Sequence, residues 1–207
     1  MEQDLLLINA MDVFIRYGFK KASMDDVAAA VGMSRQAIYK RYRNKKDLFR
    51  SVIEFGMRSS KEAAIASLSI KGLSPKERLL QSCFCWGGQH IERMRSSPHS
   101  FEVIAFANAE MKDHARAMEE EYTEAGIEML LREGLCSSKD EAFNILFTIE
   151  MASKGLFHWG EDLRSYMEGV AQVINTLLPR GEPCEVNESL DVYTQVMNPS
   201  CDEASEI

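Results

Sequence analysis

Between Ser34 and Lys46 the sequence SRQAIYKRYRNKK sets long hydrogen-bond donors at helical spacing. At about 100° per residue, Arg35, Gln36, Tyr39, Lys40 and Arg43 fall within one sector of roughly 140°. Ile38 and Tyr42 lie on the opposite side, one turn apart, as apolar anchors. Arginine and glutamine are side chains that read base edges in a major groove, and a glutamine amide pairs bidentately with adenine. Lys45 and Lys46 open a further helix, where ammonium groups and free backbone N–H groups suit phosphate. The chemistry is recognition of a polyanion, with no covalent bond made or broken. A rival account of the same residues is a solvated basic face. The turn, caps, anchors and donor face agree with one another, which favours recognition.

Short elements must hold that face. Ser23 is placed to cap a helix whose first turn carries Asp25 and Asp26, where the helix dipole favours negative charge. The Ala-rich run to Val31 lets that helix approach a neighbour closely, and Gly32 supplies the left-handed conformation that ends it. Ser34 caps the next helix, Arg35 to about Tyr42. Two helices joined by so short a turn cross steeply, the helix-turn-helix arrangement. Before them, Leu6, Ala10, Val13, Phe14 and Tyr17 form one apolar stripe of a helix from about Glu2 to Tyr17, with Gly18 just past its end. After them, a helix from Lys45 to about Ser67 is longer than a minimal three-helix domain requires, with Asn44 as its cap.

Leu6, Leu7, Ala10, Val13, Phe14 and Gly18, followed by Ser23 to Phe49 with its Ile38-Tyr39 and Asn44-Lys45-Lys46-Asp47-Leu48, resemble the DNA-binding domain of the TetR/AcrR family of transcriptional regulators. The resemblance covers about the first quarter of the chain. It implies a palindromic double-stranded DNA operator, a homodimer paired through the last two long helices, a small-molecule effector held among the body helices, and a repressor. By the family motif Ala37 and Arg41 also come near the DNA. Arg35 and Gln36 are then the base readers, and Tyr39, Lys40, Lys45, Lys46, Ser23 and Ser34 the phosphate contacts. The alternative is a DNA-bound activator or nucleoid organiser that has no effector.

Charge is distributed to match. The chain of 207 residues carries a net −8. Residues 1–50 hold ten Lys/Arg against six Asp/Glu, a net +4, while the remainder holds fourteen against twenty-six, a net −12. A basic end on an acidic body directs one end to nucleic acid. Cys83, Cys85, Cys136, Cys184 and Cys201 show no framework spacing, consistent with reduced thiols. Cys83-x-Cys85 lacks the two-residue spacer of redox and zinc motifs, and His90, His99, His114 and His158 form no metal-ligand pattern. No metal, cofactor or enzymatic chemistry is expected, because no nucleophile–base pair or phosphate loop is present. The N-terminal MEQDLLLINAMDVF lacks a basic leader region, so a cytoplasmic location is expected.

The remaining boundaries all read as helix. Ser74-Pro75-Lys76-Glu77 opens a segment to about Ser96, kinked at Gly87-Gly88, by a capping box with proline at N1. Helices follow at 101–111, 113–133, from Ser138 (a second capping box with Glu141) to about Phe157, and from Asp162 to Leu178. With no alternating strand pattern, the expected fold is all-α: a helix-turn-helix domain at 1–50, a helical effector-binding and dimerisation domain at 51–179, and an acidic tail at 180–207. Residues 181–207 hold seven Asp/Glu and no Lys or Arg, a composition that predicts poor order. Leu190, Tyr193, Val196 and Met197 nevertheless recur at helical spacing, so a short extra helix against the body is the alternative. Within the body, Phe84, Trp86, His90, Met94, Phe101, Phe106, Asn108, Met111 and Tyr122 are the candidate effector contacts, since apolar pockets with a few polar groups bind small molecules. Packed core is the plainer account of so many Met and aromatic residues.

Overall fold

The computed structural model describes residues 2–195, the side chains of Glu2 and Gln195 excepted. Among these residues the chain forms eleven α-helices, one 3₁₀ turn and no strand, the all-α class. It divides into two compact units, Met1–Ser59 with Glu92–Met118, and Ser60–Ile91 with Glu119–Ile207. This division is not the contiguous one read from the sequence: residues 92–118 join the N-terminal helices.

The first unit contains α1 (Glu2–Lys21), α2 (Met24–Val31), α3 (Arg35–Arg41) and the opening of α4 (Lys45–Ser67). It also takes most of α6 (Ile91–Arg95), then α7 (Ser100–Glu110) and the start of α8 (Lys112–Arg132). Leu6, Ala10, Phe14, Val27, Ile38, Leu48, Phe49 and Val52 form its core, and Val103 and Met111 are buried with them. Phe106 of α7 stacks on Phe19 at 4.3 Å and meets Phe49 edge-on at 4.9 Å. The helix expected to stop before Gly18 continues to Lys21 across a kink, with Gly18 at φ 75° and ψ 157°. A Cβ there would stand 3.1 Å from Glu102 Oε2 and 3.3 Å from His99 Cβ. Gly18 thus meets two demands, a positive φ and the close approach of α7's first turn.

The second unit contains the rest of α4 and α8, together with α5 (Pro75–Trp86), the 3₁₀ turn Gly88–His90, α9 (Lys139–Trp159), α10 (Leu163–Leu177) and α11 (Asp191–Gln195). Ser74 and Glu77 close the expected capping box, and the chain breaks helix at Gly87–Gly88 as the glycines foretold. Ser138 accepts from Glu141 N–H at 3.2 Å, but the Glu141 carboxylate takes the N–H of Ser137 instead of completing the box. The core is Leu79, Leu80, Phe84, Ile127, Leu130, Ile149, Tyr166, Met167, Val170 and Ile174. α9 and α10 pack closely where Gly169 admits Leu156, whose Cδ2 lies 2.7 Å from the place a Cβ would occupy.

Of the tail, the described residues 180–195 include the short helix α11 that the spacing of Leu190 and Tyr193 allowed. Cys184 exchanges backbone hydrogen bonds with the Asn175 amide at 2.8 and 2.9 Å, and Gln81 Nε2 donates to Tyr193 O at 2.8 Å. The Tyr193 ring lies 5.6 Å from Phe84. Two buried side chains, Cys184 and Tyr193, join residues 180–195 to the core of the second unit. Val196, Met197 and Cys201 lie outside the described residues.

Candidate nucleic-acid interface

The α2–turn–α3 segment is built by local hydrogen bonds that its sequence encodes. Ser23 Oγ accepts from Asp26 N–H at 3.1 Å, and Asp26 Oδ2 accepts from Ser23 N–H at 2.8 Å. The Ser23 hydroxyl and then its backbone N–H hold the Asp26 carboxyl below its usual pKa. At the other end Gly32 adopts φ 67°, and Met33 N–H reaches back to Ala28 O at 3.0 Å. Ser34 Oγ then accepts from Ala37 N–H at 3.2 Å and starts α3. Asn44 Oδ1 accepts from Asp47 N–H at 2.9 Å to start α4, while Asp47 Oδ2 takes Arg43 N–H at 3.0 Å. Three helix starts within about twenty residues fix the direction of α3.

α3 is held by one face and open on the other. Ile38 is 0% and Tyr42 5% exposed, both within the first unit's core. Arg35, Gln36, Tyr39, Lys40, Arg41 and Arg43 are exposed, with Ala37 half-buried between them. Arg35 is not a loose cation. Its Nη1 donates to Asp25 Oδ2 at 2.9 Å and lies 3.3 Å from Oδ1, and its guanidinium sits 5.4 Å from the centre of the Tyr39 ring. Tyr39, then Asp25, raise its pKa.

The two lysines expected at phosphate have other employment. Lys45 Nζ donates to Ala22 O at 2.8 Å and Lys20 O at 3.1 Å, and stands 4.8 Å from the Phe19 ring centre. It thereby satisfies carbonyls at the end of α1 that no helical N–H reaches. Lys46 Nζ pairs with Glu110 of α7 at 2.8 Å. Neither contact was legible from the lysine positions alone.

Residues 6–52, the span that contains this geometry, match the bacterial regulatory proteins of the tetR family. Residues 6–52 thus carry a tetR-type regulatory domain. The chain is 33% identical over 75 residues to the uncharacterized HTH-type transcriptional regulator YezE of Bacillus subtilis (strain 168), a match spanning 36% of this chain and 38% of that relative. Two solved structures share the fold over most of their length. A protein of Mesorhizobium loti MAFF303099 assigned to the TetR family superposes with TM-score 0.62 at 15% identity, covering 86% of this chain and 95% of its own. SmeT, the repressor of the Stenotrophomonas maltophilia multidrug efflux pump SmeDEF, gives 0.59 at 14% identity, covering 92% and 97%.

The candidate effector residues fall in different units. Phe84, Trp86, His90 and Tyr122 belong to the second, and Met94, Phe101, Phe106, Asn108 and Met111 to the first. Within the second, Trp86 stacks on Tyr122 at 4.9 Å. Ser82 Oγ lies 2.8 Å from Tyr122 OH and 3.0 Å from Ala64 O, so it accepts from the phenol while donating to the carbonyl. Tyr166 OH donates to Cys83 O at 3.3 Å. Ser153 Oγ, buried beside the Cys83 thiol and the Tyr166 phenol, finds no hydrogen-bond partner of good geometry among the described residues. Burial pushes the Cys83 thiol up to about 12 and raises both tyrosines. Sequence reasoning missed Ser82, Ser153 and Tyr166, because serines and a tyrosine at helical spacing carry no local signature. His90 pairs instead with the buried Ser60, 2.8 Å from its hydroxyl. Among the described residues no cluster of His, Cys, Asp or Glu could hold a metal ion, and no helix is long and apolar enough to cross a membrane.

Proposed function

We propose that this chain is a homodimeric one-component transcriptional repressor acting in the cytoplasm. Two copies set their α3 helices in successive major grooves of a palindromic operator, with half-sites roughly one helical turn or somewhat more apart. The observation that carries the reading is the donor face of α3, exposed at Arg35, Gln36, Tyr39, Lys40 and Arg41 while Ile38 and Tyr42 are buried. Arg35 and Gln36 read base edges, Ala37 fits close to the groove floor, and Tyr39, Lys40 and the starts of α2 and α3 at Ser23 and Ser34 meet phosphate.

Pairing is supported by α9. Phe143, Phe147 and Met151 recur every fourth residue and are 49%, 49% and 41% exposed, with the two phenyl rings stacked. An exposed apolar stripe of that kind, on a helix whose Ala142 and Ile149 are buried in the core, is what a second copy would cover. The effector is a mostly apolar small molecule held in the second unit at Trp86 and Tyr122, beside Phe84, with Ser82, Ser153 and Tyr166 supplying the few polar groups. It releases DNA only through different affinities for the bound and released conformations. A dimer seated on DNA that polymerase must enter represses by occupancy.

Footprinting on fragments of the source genome, with and without candidate apolar metabolites, tests the reading. One short protected palindrome, lost when an effector is added, is the expected result. Coating of DNA without preference would replace it with a nucleoid organiser, and a protected palindrome that no metabolite releases would remove the effector.

A further inference from the structure

We propose that Asp25 is a positioning residue for base readout: it holds the Arg35 guanidinium against Tyr39, so that Arg35 presents its remaining donors to a guanine. The inference rests on the DNA-binding reading above and deepens it. Three acids lie between Ser23 and Phe49. Asp26 is committed to the start of α2 and Asp47 to the start of α4. Asp25 alone turns its carboxylate to a cationic side chain of α3, with Arg35 Nη1 at 2.9 Å from Oδ2 and 3.3 Å from Oδ1.

An acid on this face weakens the attraction of the unit for any duplex, since it repels phosphate and neutralises a nearby cation. What it supplies is direction. An unrestrained arginine at a DNA surface finds phosphate oxygens on every sequence. One tethered through Nη1, with Tyr39 5.4 Å beneath it, is stopped from following the backbone and keeps one edge of its fork for a pair of acceptors. Guanine offers that pair, N7 and O6, in the major groove. Both partners are more than half exposed, at 57% and 64%, so the tether adds little to folding and its removal leaves the helices intact.

The test selects bound duplexes from a random library with the full-length wild type, Asp25→Asn, Asp25→Glu and Arg35→Ala, then titrates the selected and a scrambled duplex across KCl concentrations. Melting by circular dichroism accompanies each variant. The wild type selects a guanine that Arg35→Ala no longer requires. Asp25→Asn loses preference for that guanine by about tenfold, binds the scrambled duplex more tightly, and steepens the salt slope on it by about 0.9. Asp25→Glu recovers part of the preference, and adding Asp25→Asn to Arg35→Ala changes the guanine preference no further. Equal gains of Asp25→Asn on both duplexes, with the guanine still selected, would overturn the inference and leave the regulator reading intact. A wild type that selects no sequence would sink both.

Discussion

Replacing Lys45 by methionine keeps the side-chain stem and removes the ammonium. In the structure that ammonium closes two carbonyls at the end of α1, Ala22 O at 2.8 Å and Lys20 O at 3.1 Å, over the Phe19 ring. A hydrogen bond to a charged group contributes about 1.5–3 kcal/mol, and a cation over an aromatic face about 0.5–1 kcal/mol when partly exposed. These overlap, because one ammonium cannot optimise all three contacts. The carbonyls also regain some hydration when it leaves. About 2 kcal/mol is therefore the expected loss, which for a chain of this size lowers the melting temperature by roughly 4–8 °C. Thermal unfolding followed by circular dichroism measures it. Binding to the selected duplex, titrated against salt, gives the second readout: the slope of log K against log salt should stay as in the wild type if the ammonium keeps its two carbonyl partners. An unchanged melting temperature together with a slope flattened by about one unit would mean that Lys45 is a phosphate ligand after all and that the carbonyl contacts are incidental.

Phe106→Ala removes the ring that stacks on Phe19 and meets Phe49 edge-on; being half-buried, it should cost about 2–3 kcal/mol in urea unfolding, and no loss would show that residues 92–118 do not stabilise the first unit. Phe147→Glu puts a charge on the exposed α9 stripe and should leave a folded monomer in light scattering, whereas an unchanged dimer would move the pairing surface elsewhere. Cys83, pushed up to about 12 from 9.0 by burial, stays protonated in the folded chain while the unfolded chain ionises first, so its contribution to stability is present below about pH 9 and is lost as pH rises toward 12. Iodoacetamide at pH 8 should label it only after denaturation. Rapid labelling in the folded state, resolved by peptide mass, would contradict its burial.

The parts of the interface legible in the sequence are those whose partners lie within four residues. Ser23 with Asp26, Ser34 with Ala37 and Asn44 with Asp47 are local pairings, so residue type and spacing determine them. The division of α3 into an Ile38/Tyr42 face and a donor face is equally local. What spacing could not reach is contact across long stretches of chain. Phe106 meets Phe19 and Phe49 from a distant part of the sequence, and in a run of Met and aromatic residues nothing local separates a core ring from a pocket ring. Lys45 and Arg35 illustrate the same limit for charge: a lysine looks available until a carbonyl is found at its tip, and an arginine looks unrestrained until Asp25 is found beside it.

Net charge on the first unit is therefore a poor measure of what it offers to DNA. Residues 92–118 add four basic and four acidic residues and leave the excess of residues 1–50 untouched. Their ion pairs nonetheless take up specific cations or place them: Lys46 with Glu110 at 2.8 Å, Arg93 with Asp12 at 2.5 Å, and Lys20 4.0 Å from Glu102. Exposed pairs of this kind each contribute only about 0–1 kcal/mol. Their consequence is distribution more than stability. Lys46 and Arg93 each have a carboxylate partner within the first unit, whereas Lys40 is exposed on α3 beside Gln36 and the restrained Arg35. On the proposed reading, the cations left to a duplex are those of the α3 face that would read base edges. That distribution distinguishes an operator reader from a generally basic surface.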